Sequence, residues 1–333
     1  MTPPTPAPYP NLSFNDGNLV LLAQNQYFIA HQGVLGRHSS SLDAALKALQ
    51  DSPRLLQGRP VLELQESPEE VYYFLSALYD GISHLVYDVQ TFNVISSLLR
   101  LFTKFEVHHL RKEIIRGLST IWPPSLAQWD IREANATNSF GVYEPRQTIP
   151  HPILMINLAR SINAPELLPS AFYDLSRNSP SQTMAGYFCP ETEHVHQLSQ
   201  DDLFNLLKGR EHASRFLSTF LVNFLEGRLP CQDCVFKHQK DASLRRRCLA
   251  AFEAITFEIL RDVNGVVCQR SSDPLFAIMD TELMQAKADS RQIINMRPCD
   301  FCRADYGPVV DAAREEFWNM LPEWFGIVVS NWG

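Results

Sequence analysis

The sequence predicts an α+β amino-terminal domain, a small sheet with helical hairpins, followed by a mainly α-helical carboxy-terminal region. Three observations carry this expectation. Two short apolar runs, 18–23 and 26–30, are separated only by Gln24-Asn25, which reads as a strand hairpin. A third apolar-alternating run, 61–64, precedes a segment with helical apolar spacing. Beyond residue 150 the apolar residues recur mostly at helical spacing, up to the last expected helix at 309–320.

The elements follow in order. Residues 1–15 hold Pro3, Pro4, Pro6, Pro8 and Pro10, a composition expected to form a flexible, extended tail. The hairpin runs straight into His31-Gln-Gly-Val-Leu35 and the polar stretch 37–41, where a helix is expected. The helix at 69–79 has the clearest start: Ser67 as N-cap, Pro68 at the first helical position and Glu70 completing a capping box. Val71, Phe74, Leu75 and Leu78 would face the core. Two further helices, 89–102 and 105–118, close a first domain at 16–118, and Trp122-Pro-Pro124 opens a second at 119–333, with Gly227 offering a further division. In that second part helices are expected at 153–162, 165–175, 242–262 and 273–295. A long polar loop is expected at 178–198, and a helical stretch capped by Ser199 runs to Gly227, with Gly209 as a break.

With 333 residues, 45% hydrophobic and 20% charged, the chain carries enough apolar matter for a buried core. A formal net charge of −8 disfavours nucleic-acid binding as the main activity. The lack of a long apolar run argues against a membrane span. Seven cysteines, an odd number, do not form a disulfide framework and point to a reducing compartment, cytoplasm or nucleus.

The sharpest chemical signal is a matched pair of turns, Pro230-Cys231-Gln-Asp-Cys234 and Pro298-Cys299-Asp-Phe-Cys302. Two thiolates two residues apart can grip one tetrahedral ion, and four sulfurs make the closed structural site that zinc prefers. The 64 intervening residues exceed the usual spacing of a compact ribbon, so one structural Zn2+ would staple two distant loops. His238 or Cys248 is a possible substitute for one of the four. The same cysteines also read as small buried hydrophobes. Cys189 with His194 and His196 is a weaker metal candidate in what reads as a solvated loop. Lys237, Lys240 and Arg245-Arg-Arg247 form a basic cluster, read first as a solvated helix face. His31 reads as a structural residue at the strand-to-helix corner, and no nucleophile elbow or phosphate loop is recognisable.

Several of these residues carry a resemblance. His31-x-x-x-Leu35 after the hairpin, a serine shortly beyond, Leu78-Tyr-x-Gly81 and Leu98-Leu-x-Leu-x-x-Lys-Phe-x-Val-x-x-Leu110 together resemble a BTB/POZ domain. Trp122-Pro with Trp129-Asp130, 158–176, Glu316-Phe-Trp318 and 321–326 are similar to the region that follows that domain in basidiomycete fungal proteins. The resemblance implies a non-enzymatic protein-interaction adaptor that homodimerises through its amino-terminal domain, with Leu12, Phe14 and Val20 as an apolar start to that interface. Some members of the family recruit a cullin-type ubiquitin-ligase scaffold through a hydrophobic-x-acid motif. Its nearest match here is Leu49-Gln-Asp51, with Asp where Glu is usual and a longer run before Val61. The alternative reading is a transcription or chromatin regulator with a zinc-stabilised carboxy-terminal domain.

Overall fold

The computed structural model describes residues 5–49, 54–139, 142–190, 193–261, 272–283 and 297–333. The chain divides into two compact units, Met1–Ser119 and Thr120–Gly333. It is a mixed α+β protein with a five-stranded sheet near its start and a helical carboxy-terminal region.

In the first unit the strands are β1 (Ala7–Pro8), β2 (Leu19–Ala23), β3 (Gln26–Ala30), β4 (Leu55–Leu56) and β5 (Arg59–Leu64), in the order β1-β3-β2-β5-β4. All five residues of β2 are buried, because the strand lies between β3 and β5 and both its faces are covered. The β4–β5 hairpin turns through Gln57 and Gly58, whose φ values of 51° and 74° are those of a two-residue turn matched to strand twist. Helices α1 (Gln32–His38) and α2 (Ser40–Ala48) follow the first hairpin, with the Ser39 hydroxyl capping α2 by accepting from the Leu42 amide at 2.9 Å. In α3 (Pro68–Asp80) the capping box forms as expected, and Val71, Phe74, Leu75 and Leu78 are buried. Helices α4 (Phe92–Lys104) and α5 (His108–Leu118) complete the unit, joined at Glu106, where φ is 54°.

Two expectations for this unit need correction. Part of the proline-rich segment is not a free tail: β1 pairs in parallel with β3, and the Ala7 and Tyr9 amides donate to Asn25 and Tyr27 at 2.9 and 2.8 Å. Pro8 lies between those two donors on an edge strand, where its missing N–H costs no ladder bond. The Tyr9 ring then stacks on Phe28 and Tyr72, at 4.6 and 5.3 Å between centroids. The second correction concerns the apolar start. Val20 is fully buried in the sheet core, and Phe14 packs on His31 and Tyr79, so neither forms an open dimer face.

The second unit contains α6 (Leu126–Asn135), α7 (Pro152–Ser161), α8 (Leu168–Ser176), α9 (Pro180–Ala185), α10 (Gln200–Phe220), α11 (Ala242–Arg245), α12 (Arg247–Arg261), α13 (Pro274–Leu283) and α14 (Asp300–Trp324). Every residue of α8 is buried, and α7, α10 and α14 pack around it. An aromatic seam joins Trp129, Tyr173, Phe317 and Trp318, with ring centroids 5.3 to 5.5 Å apart.

The segment expected as a polar loop at 178–198 instead forms α9, with a capping box of Ser179 and Gln182, and the hairpin β6 (Tyr187–Cys189) with β7 (His194–His196). Gly209 does not break α10. A Cβ there would come within 2.1 Å of the Phe325 ring, so the glycine gives that ring its seat against an unbroken helix. The helix loosens later, in a wide π-type turn at Leu221–Leu225. The helix expected at 273–295 is seen over Pro274–Leu283, and its remainder lies outside the described residues. The last helix is longer than expected and passes through Pro308 and Pro322. Pro322 has no N–H to offer the Trp318 carbonyl one turn back, and the Trp332 indole N–H donates to that oxygen at 2.8 Å.

Candidate metal centre

The two Pro-Cys turns converge in the second unit. Cys231 and Cys234 lie in the loop between the π-type turn and α11, closed by a bond from the Cys234 amide to the Cys231 carbonyl at 3.2 Å. Cys299 is the N-cap of α14 and Cys302 sits in that helix's first turn. Cys248, in the first turn of α12, points its sulfur at the same spot and accepts from the Cys299 amide at 3.3 Å.

Cys234, Cys248, Cys299 and Cys302 bring their sulfurs within 4.8 Å of one another. The Cys234–Cys248 and Cys299–Cys234 sulfur separations are 3.7 and 3.9 Å. A tetrahedral ion with metal–sulfur bonds of about 2.3 Å requires edges of about 3.8 Å, so these separations fit zinc. Three of the four expected ligands therefore gather, and Cys248 completes the mutual set. Cys231 lies beside it, 3.6 Å from the Cys302 sulfur, and His238 is exposed and outside it. Cys234, Cys248 and Cys302 are buried. Burial pushes the Cys248 thiol up to about 12 and raises Cys302 as well. Burial also acts upward on Cys299, but the Cys302 and Val235 backbone N–H groups and the Cys302 and Cys248 thiols bring it down to about 7. The site thus sets two thiols that are costly to ionise beside one readily ionised sulfur, and a bound cation would favour the thiolates.

The weaker metal candidate does not assemble. Cys189 and His194 face each other across the β6–β7 ladder, and the sole group of metal-ligand type found among the described residues is the cysteine quartet. Leu49 caps the end of α2, partly buried, and Asp51 lies outside the described residues. His31 is tied to Tyr79, whose hydroxyl is 2.9 Å from both its amide and its Nδ1, in keeping with a structural corner.

A buried charge network was not anticipated. The Asp174 carboxylate, 1% exposed, accepts from Arg132 at 2.6 Å, Arg146 at 2.7 Å and Arg177 at 2.7 Å. Arg177 also reaches Glu133 at 2.8 Å and Asp273 at 2.9 Å, and Arg132 pairs with Glu133. The Tyr173 hydroxyl donates to Asp273 at 2.7 Å. Burial acts to raise the Asp174 carboxyl, but Arg132, Arg146 and Arg177 hold it well below the usual carboxylate range. A cavity of about 250 Å³ adjoins this network, but its charged lining is already committed: Glu133 and Asp273 to Arg177, and Arg314 to Asp130 at 2.5 Å. The network ties α6, α8 and the segments around residues 146 and 273, and its role is architectural. No helix among the described residues is long and apolar enough to cross a membrane.

No protein-family model matches the chain, and no curated protein matches it.

Proposed function

We propose that this protein is a non-enzymatic interaction adaptor. Its α/β unit is a docking domain of BTB/POZ type, and its helical unit is stapled by one structural zinc ion at Cys234, Cys248, Cys299 and Cys302. The observation that carries the metal assignment is the sulfur quartet, whose mutual distances suit a tetrahedral ion. Four thiolates close the coordination sphere and leave no position for a reacting water, which favours a structural role over hydrolysis. The docking role is supported by the element order of the first unit: hairpin, helix corner, a parallel third strand, the capped helix and a terminal helix pair.

Purified full-length protein is expected to carry about one equivalent of zinc. Cys248→Ser is expected to lose most of it, and Cys231→Ser to retain it. A chelator should loosen the helical unit, because metal binding is then part of its folding free energy. Metal-free protein whose cysteines all react freely with a thiol reagent in the native state would refute the site. Concentration-dependent sedimentation of the full chain tests self-association, and a strict monomer at high micromolar concentration removes that part of the reading.

A further inference from the structure

A cavity of about 410 Å³ opens directly beside the cysteine quartet, within the ~300–1,000 Å³ range of ligand pockets. Its apolar wall includes Val235, Phe236 and Phe301. Val235 and Phe301 are 53% and 56% exposed, so the opening presents apolar surface to a ligand. Its polar wall holds Arg247, whose guanidinium lies 4.8 Å from the centre of the Phe236 ring, and the exposed Arg297. The surrounding segment adds Lys237, Lys240, Arg245 and Arg246, all exposed, in a chain whose formal net charge is −8. The basic stretch is a solvated face, as expected, except that Arg247 lines the pocket.

We infer that this pocket is a docking site for an acidic peptide segment bearing one large apolar side chain. The inference rests on the adaptor reading and names the chemistry of its partner. The apolar wall would seat the side chain, and Arg247 and Arg297 would meet carboxylates on either side of it. A peptide fits better than a nucleic acid for two reasons. Asp300 stands at the mouth, 96% exposed and 3.7 Å from Arg303, where it repels a continuous phosphate backbone but can be straddled by spaced carboxylates. The apolar wall of Val235, Phe236 and Phe301 also suits a large apolar side chain, which a phosphate backbone does not offer.

The test uses full-length, zinc-loaded protein and three fluorescein-labelled probes read by anisotropy: an Asp/Glu-rich peptide with one central Trp, the same peptide with Ala in that place, and oligo(dT) of equal charge. The Trp peptide is expected to bind best, to weaken as salt rises, and to lose about tenfold in affinity with Arg297→Glu or Phe301→Ala. Both substituted side chains are exposed, so both variants should fold, and circular dichroism checks this. Equal binding of the Trp and Ala peptides, no response to either variant, or preferential binding of oligo(dT) would overturn the inference. Zinc-bearing protein that binds no peptide refutes the pocket alone, whereas protein without metal refutes the staple.

Discussion

Asp174→Asn is the most demanding perturbation of this structure, because it removes charge from a buried site while keeping its shape. The carboxylate accepts from Arg132 at 2.6 Å, Arg146 at 3.0 and 2.7 Å, and Arg177 at 2.7 Å. Breaking a buried pair by removing one partner costs about 3–5 kcal/mol, since the remaining charge is left uncompensated. Two features set the value within that range. Arg132 and Arg177 keep Glu133, and Arg177 keeps Asp273, so neither guanidinium is stranded. Arg146 has its side chain 35% exposed and can turn toward water. The expected loss is therefore about 3 kcal/mol, a large share of the ~5–15 kcal/mol that stabilises a typical domain. Equilibrium urea unfolding followed by tryptophan emission reads it, because Arg132 and Arg177 lie 4.3 and 5.1 Å from the Trp129 ring. Arg146→Met, which removes the exposed partner, is expected to cost less, and the double variant should show coupling of about 1 kcal/mol. A loss below about 1 kcal/mol for Asp174→Asn would mean that the network does not hold the helical unit together.

Ser67→Ala is expected to cost about 1 kcal/mol, because it frees the Glu70 amide that the Ser67 hydroxyl now accepts from at 3.3 Å. An unchanged denaturation midpoint would show that Ser67 does not cap α3. For His151, burial first and then Arg146 lower the imidazole to about 4, and its ring stacks on Tyr187 at 4.3 Å. The unfolded chain takes up this proton near its ordinary value of about 6.5, so stability falls as pH drops from there toward 4, by at most about 3 kcal/mol. His151→Phe should flatten that part of the stability profile, and an identical profile in the variant would exclude His151 as its source.

Much of the first unit was legible because its signals are local. Ser67, Pro68 and Glu70 sit within one turn, and two apolar runs separated by two residues leave little choice but a hairpin. The cysteine turns were legible for the same reason, whereas Cys248 carries no partner at ligand spacing and joins them only because α12 begins beside α14's first turn. The charge network was hidden because Arg132, Asp174 and Asp273 are far apart in sequence and become neighbours only when α6 and α8 pack. β1 was obscured by its own proline, whose cost vanishes on an edge strand. Gly209 misled because glycine signals a helix break in isolation, while here it answers to the Phe325 ring.

The meeting of Pro322 and Trp332 makes two residues ten positions apart interdependent. The proline withdraws a donor from its own helix, and the indole returns one to the same oxygen while its ring lies 5.2 Å from that of Trp318. Neither residue has a fixed energetic worth on its own. With Pro322→Ala the helix can supply the N–H itself, and the penalty for Trp332→Phe should shrink to a change in stacking. Change at one position would thus set which residues the other tolerates, a dependence that a position-by-position scan of single substitutions would miss.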